Sequence, residues 1–432
     1  MKPLQSVLAM MAAIWLIPQV VTAQDQNENS LPLEDLQIFS EVFGKIKSEY
    51  VDQVDDRTLL RNAIKGMLAG LDPHSTFLDP EDFEDIRIST DGKFGGLGIE
   101  VTTDDGLIKV VTPIDGTPAY EAGVQPGDII LKLDDVPVRG FSLQESVDKM
   151  RGEPGSSIKL TILREGEAEE LDFDLVRAII KVTSVRGELL EPGLAYVRVS
   201  SFQSGTAQAL RNQVKSLVEK NQGSLDGIVL DLRNNPGGIL SGAVDVSDMF
   251  LGEGGIVSTR GRTSSSEQSF SARPDDITDD APMVVLVNGG SASASEIVAG
   301  ALQDHQRAII IGTRTFGKGS VQTVIPMNNG GALKLTTARY YTPADRSIQA
   351  KGITPDIIVE QARLTEINNT NDMVSEADLA GHLENEATER GAKNSSGLSG
   401  KQRLKRDFQL REALNLLKGM SLVKKRTVTP GS

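Results

Sequence analysis

The sequence predicts a multidomain α+β chain: an N-terminal helical region, a β-rich module, an α/β core on a mainly parallel sheet, and a C-terminal linker followed by a helix. Three observations carry this reading. At 432 residues the chain exceeds one ordinary domain of about 150 residues. Before Gly70 the apolar residues fall at helical spacing, and from Gly92 they fall in short β-branched runs broken by glycine and proline. Beyond Arg177 short apolar strands alternate with helical patterns, as βαβ crossovers require.

The elements follow in order. Residues 1–23 read as a signal peptide, with Lys2 as a minimal positive region, an apolar stretch over 8–17, and Val21-Thr22-Ala23 as small residues before a cut at Gln24. That stretch is short of the ~20 residues that span a bilayer, so export is expected and not anchorage. In the helical region, 24–84, Leu36, Phe39, Val42, Phe43 and Ile46, then Leu59, Leu60, Ile64 and Leu68, mark two or three helices. The run LDPHSTFLDPEDF ends them at Pro73 and Pro80. The β-rich module, 85–177, opens at GKFGGLGIEV, carries strands such as IKVV, IILKL and IKLTILREG, and has one helix with Leu143, Val147 and Met150 on a face. In the core, 178–360, the strands are LAYVRV, GIVLDL, MVVLV and RAIIIG, and the helices TAQALRNQVKSLVEK and SASEIVAGALQ. Ligands of such sheets sit at strand carboxyl ends. The remainder, 361–432, begins acidic and Asn/Ser-rich, a flexible linker, and ends in the helix DFQLREALNLLKGM, whose apolar face packs on a neighbouring element or a second subunit.

Composition excludes some functions. Hydrophobic residues make up 39% and glycines number 42, enough for packed cores joined by glycine-rich loops. A net charge of −15 repels nucleic-acid phosphate, so nucleic acid is not an expected partner. The absence of cysteine removes thiol catalysis, disulfides and thiolate metal sites.

The densest chemistry lies in MVVLVNGGSASASEIVAGALQDHQRAIIIGTRTFGKGSVQ: a buried strand, the turn Gly289-Gly290, three alternating serines, and a helix. A serine at that junction lies near a helix N-terminus, where free N–H groups and the macrodipole favour developing negative charge. Ser291, Ser293 and Ser295 are equally suited to cap the helix or shape the turn, so residue type alone does not pick a nucleophile. The three histidines are poorly suited as its base: His74 is in the proline-bounded turn, His305 late in the helix, His382 in the linker. Lys318, in the glycine-flanked turn FGKGS after the next strand, can return to the same sheet end. An exposed lysine of pKa ~10.4 is almost wholly protonated at neutral pH, so a lysine base needs a dry pocket.

GSASASEIVAGALQD and TFGKGSVQ, with LDLRNNPGGIL, FGGLGIEV and YVDQVDDRTLLRNAIKGMLAGLDPHS, together resemble the carboxyl-terminal processing peptidases, serine proteases with a Ser-Lys dyad and a PDZ domain. The resemblance covers about residues 36–359 and resumes weakly in the last helix. It implies Ser293 as nucleophile, Lys318 as general base, Gln322 positioning the lysine amine, and backbone N–H groups of Gly238 and Ala294 as the oxyanion hole. It also implies that Gly96, Leu97, Gly98 and Ile99 bind a peptide's terminal carboxylate, the peptide lying as an added strand beside the helix carrying Val147. Protein C-termini are thus the expected partners. A homo-oligomer built through terminal helices, a lipoprotein adaptor and a periplasmic or envelope location are further implications. No cofactor or metal is expected.

Two other classes fit parts of the sequence. A catalytically silent PDZ scaffold would hold peptides without cleaving them. A penicillin-binding Ser-Lys enzyme needs S-x-x-K, found at Ser146 to Lys149, Ser156 to Lys159 and Ser421 to Lys424, but its S-D-N and K-T-G companions are absent.

Overall fold

Alternating apolar residues place successive side chains on opposite faces of each strand, and the core sheet buries both faces. In the computed structural model, which describes residues 32–104, 106–362, 403–404 and 406–428, all five residues of β12 (Gly227–Asp231) and of β15 (Met283–Val287) are buried. Ile228, Leu230, Met283, Val285 and Val287 point to one side, Val229, Val284 and Leu286 to the other. The sheet runs β10 (Val185–Glu191), β11 (Leu194–Val199), β12, β15, β16 (Ile309–Gly312), β19 (Ile357–Ile358), parallel except for β10. The first face is covered by α6 (Thr206–Lys220), α7 (Leu240–Asp248) and α8 (Ala294–Asp304), the second by α9 (Phe408–Val428) through Leu410, Ala413, Leu414 and Leu417. Every residue of α8 from Ala294 to Leu302 is buried, which fixes its N-terminus at the sheet's carboxyl edge.

A second, antiparallel sheet was not legible beforehand. It orders β1 (Thr76–Leu78), β18 (Ala332–Tyr341), β13 (Gly255–Gly261) and β14 (Gln268–Ser271), with β17 (Ser320–Pro326) also on β18. The LDPHSTF run therefore does more than end a helix: it supplies β1, and α3 (Pro80–Asp91) follows.

The β-rich module is one sheet of β3 (Ile99–Asp104), β4 (Leu107–Pro113), β5 (Ile129–Leu133), β7 (Ser157–Leu163) and β8 (Leu171–Val176), with the short β6 (Val136–Pro137) on β5. The strand β8, beyond the Gly166 turn, is one the sequence reading did not name. The sheet packs with α4 (Pro118–Glu121) and α5 (Leu143–Met150), the latter opened by a capping box between Ser142 and Glu145. A two-stranded ladder of β2 (Lys93–Gly96) and β9 (Ala178–Lys181) joins the module to what flanks it. Gly95 lies so close to Gly152 that a Cβ would sit 2.0 Å from the Gly152 oxygen.

The helices α1 (Leu33–Glu49) and α2 (Asp56–Ala69) account for the N-terminal apolar spacing, and the described residues 32–67 belong to a compact unit of their own. The expected signal peptide and most of the expected linker lie outside the described residues.

Candidate active site

Three loops leave the carboxyl ends of β12, β15 and β16. The middle one turns on Asn288, whose side chain accepts from Gly290 N at 3.0 Å, and delivers Ser293 to the N-terminus of α8. Ser293 has φ 55° and ψ −113°, a backbone region that costs a non-glycine residue about 1–3 kcal/mol. The neighbouring serines differ from it. Ser291 Oγ donates to Leu232 O at 2.8 Å and accepts from Asn288 N at 3.0 Å, and Ser295 Oγ donates to Asn235 O at 2.9 Å. Both outer hydroxyls thus tie this segment to the loop after β12. Ser293 Oγ makes no such bond to the loop after β12 among the described residues; it lies within interaction range of the buried Tyr340 phenol of β18. Burial pushes the Tyr340 phenol up to about 12, against the lowering effect of the Ser293 hydroxyl, so it is neutral at physiological pH.

Strain at Ser293 is held by one carboxylate. The fully buried Glu296 accepts from Ser293 N (2.8 Å), Thr315 Oγ1 (2.5 Å), Gly317 N (2.7 Å) and Lys318 N (2.9 Å). A residue one turn into α8 therefore fastens both the Ser293 backbone and the turn that carries Lys318. Lys318 is partly buried, and its pKa lies below the ordinary lysine value. Burial is the largest cause, the Lys334 charge adds to it, and the Glu296 carboxylate opposes it. His74 is lowered as well, by burial and then by Lys318 and Lys334, with Asp72 opposing. The proline-bounded turn thus brings its histidine within electrostatic reach of Lys318. Asp72 pins it, accepting from His74 N at 2.7 Å and from Thr336 Oγ1 at 3.1 Å. No hydrogen bond joins Lys318 Nζ to Ser293 Oγ among the described residues, and Gln322 Nε2 donates to Ser320 Oγ (2.9 Å) and Ser320 O (3.2 Å).

The loop after β12 brings Gly237 and Gly238 to Ser293. Buried Asn235 organises it: Nδ2 donates to Val199 O and Oδ1 accepts from Gly237 N, both at 2.9 Å. Gly237 has φ 103°, and a Cβ there would lie 2.7 Å from Ala292 O, 2.9 Å from Ser293 Cβ and 3.0 Å from Ala294 N. Only glycine fits. Neither Gly238 N nor Ala294 N, the first amide of α8, is engaged by a described residue.

The peptide-binding candidates form a different set. Leu97, Ile99 and Val147 pack in one apolar cluster. Carbonyls of Leu97 and Gly98 accept from Ala119 N (3.1 Å) and Ile114 N (2.8 Å), leaving the amide side of the loop outward. Gly98 takes φ 76°, whereas Gly96 pairs with Ala178 in the ladder of β2 with β9.

Sequence reasoning missed Glu296, Tyr340, Asn235 and the Asp72-His74 turn. Only Glu296 had a signal, the S-x-x-E spacing from Ser293. Among the described residues no His, Asp and Glu group could hold a metal ion.

Comparison with known proteins agrees with this layout. Residues 193–359 match the model of peptidase family S41, 95–175 that of the PDZ domain, and 14–82 that of the activating protease CtpB N-terminal domain. A carboxy-terminal-processing protease of Bartonella bacilliformis is 47% identical, covering 94% of this chain and 93% of its own. The carboxy-terminal processing protease CtpA of Bacillus subtilis is 36% identical over 74% of this chain and 68% of its own. The solved photosystem II D1 C-terminal processing protease aligns with TM-score 0.45 and 33% identity, covering 75% of this chain and 92% of that one. With 47% identity sustained along almost the whole chain and both module models in sequence order, the chain belongs to the carboxy-terminal-processing proteases, serine-type peptidases of family S41 with a PDZ domain.

Proposed function

We propose that the protein is an exported endopeptidase of the cell envelope that takes protein C-termini on its PDZ module and cleaves by acyl transfer to Ser293. One observation carries the assignment: of three serines at the helix entry, Ser291 and Ser295 tie their hydroxyls to the loop after β12 while Ser293 does not, and one carboxylate ties its strained backbone to the Lys318 turn.

Neutral Lys318 Nζ takes the proton from Ser293 Oγ as the oxygen attacks the peptide carbonyl. The resulting oxyanion accepts from Gly238 N and Ala294 N, donors worth about 3–4 kcal/mol each. The ammonium of Lys318 then protonates the departing amine, leaving an ester on Ser293, and a water deprotonated by the same amine hydrolyses it. Gln322 Oε1, on an amide whose nitrogen is already bound to Ser320, is the acceptor that orients Lys318 Nζ. Closure of Lys318 onto Ser293 accompanies substrate binding, as catalytic hydrogen bonds often tighten only in the complex. At the PDZ module, amides of the Leu97 to Ile99 loop hold the terminal carboxylate while the peptide lies between β3 and α5. Association through terminal helices and delivery by a lipoprotein adaptor complete the reading.

Cleavage of an unfolded polypeptide by Ser293→Ala, Lys318→Ala, Ser291→Ala and Ser295→Ala variants tests it. The first two should be inactive and the last two active; full activity in Ser293→Ala rejects the proposal.

A further inference from the structure

Arg233 opens the loop that carries Gly237 and Gly238, and it takes no part in the chemistry above. Its side chain is nearly buried, and all five of its N–H donors are engaged. Nε and one terminal nitrogen hold Asp231 at 3.0 and 2.7 Å. The two terminal nitrogens hold Asp407 at 2.9 and 2.7 Å in a bidentate fork, and Gln409 Oε1 takes the last donor at 3.0 Å. Asp231 is itself anchored by Tyr196 at 2.8 Å, and the Arg233 carbonyl by Arg198 at 3.1 Å. Asp407 lies in the turn before α9 and also accepts from Leu410 N at 3.0 Å, starting that helix. One guanidinium thus joins the end of β12, the start of the glycine loop and the start of the C-terminal helix.

Asp231, at the end of β12, is shared with Arg198 at 3.4 Å, so Arg233 takes its second carboxylate from outside this strand and loop. The second acid comes from the start of the C-terminal helix, which packs apolar side chains on the far face of the sheet and pairs Lys418 with Glu191 at 2.7 Å. We infer that Asp407 is a positioning residue, acting through Arg233 to hold the loop at the height where Gly238 N meets the oxyanion, so that docking of α9 sets turnover at Ser293. This rests on the acyl-transfer reading of the site. Planar bidentate pairing fixes direction as well as distance, which a lysine or a neutral partner would not. A misplacement of about 1 Å can cost on the order of 100-fold in rate.

The test is kinetic and structural together. Asp407→Asn keeps the side chain's shape but removes the charge and opposes an amide to the Arg233 donors. Turnover of a short peptide should fall about tenfold or more with KM changed less than twofold, and Asp407→Glu should recover part of the loss. Leu414→Ala, which loosens α9 packing but leaves the fork, should lower Tm without that fall when rates are normalised to folded enzyme. Hydrogen exchange of residues 233–238 should accelerate in Asp407→Asn and not in Leu414→Ala, a readout independent of activity. If the wild type cleaves nothing, the acyl-transfer reading fails while exchange still decides whether Asp407 holds the loop. Unchanged turnover and exchange in Asp407→Asn, or an equal turnover loss in Leu414→Ala, overturns the inference. Should Asp407→Asn not fold, Gln409→Leu removes one fork partner and must show the same pattern more weakly.

Discussion

Glu296→Gln separates the two duties of the buried carboxylate. Oε1 accepts from Thr315 Oγ1 and Gly317 N, Oε2 from Ser293 N and Lys318 N. A glutamine can replace only one oxygen. Turned with its amide toward Thr315, whose hydroxyl can rotate to accept, it still opposes Gly317 N; turned the other way it opposes two backbone donors. At least one charge-assisted bond is lost and one buried donor is orphaned, so the fold should lose about 2–4 kcal/mol. The pH profile moves independently. The Glu296 charge raises the Lys318 pKa, so its removal should shift the rising limb of the pH–rate curve toward acid even as the loosened Lys318 turn lowers the maximal rate. Urea unfolding at neutral pH and peptide hydrolysis across pH measure the two effects. Wild-type stability, or a midpoint displaced toward alkali, would refute this account of Glu296.

In the wild type, hydrolysis should rise with pH through a single midpoint below the ordinary lysine value of about 10.4, because protonated Lys318 cannot accept the Ser293 proton. Between that lowered pKa and ~10.4 the unfolded chain binds more protons than the fold, so stability rises with pH there; Lys318→Met should raise Tm by about 1–3 °C at neutral pH in a thermal scan. Gly237→Ala should abolish activity and lower Tm, since its Cβ would stand 2.9 Å from Ser293 Cβ; a fully active variant would show the loop to be free to move. Amidating a substrate's C-terminus should weaken its capture by Ser293→Ala protein in an anisotropy titration, because the carboxylate's bonds to the Leu97 to Ile99 amides are lost.

The parallel core was readable because β12 and β15 bury both faces and so leave uninterrupted apolar runs, GIVLDL and MVVLV. The second sheet was hidden. Its strand β18, ALKLTTARYY, is half-buried over five consecutive positions and so lacks an alternating pattern, and it pairs with β1, more than 250 residues earlier, a contact that no local pattern announces. That strand supplies Tyr340, and β1 follows the turn that holds His74, which is why both escaped notice. Ser291 and Ser295 were inseparable from Ser293 by residue type. What distinguishes them is carbonyls about 60 residues upstream, those of Leu232 and Asn235. Asn235 and Arg233 were visible as letters in LDLRNNPGG, but an asparagine or arginine there reads as turn chemistry until its partners on β11 and before α9 are known.

The position of α9 in the chain has a consequence for how the molecule is made. Val229, Val284, Leu286 and Ile311 form an apolar face completed only by Leu410, Ala413, Leu414 and Leu417. During synthesis every strand of the core sheet leaves the ribosome before that helix, so the face stays wet until translation has passed it. The acid that grips Arg233 arrives with the same stretch, so under the proposed mechanism a nascent chain would carry Ser293 and Lys318 before it carried the Asp407 support for the loop of Gly237 and Gly238.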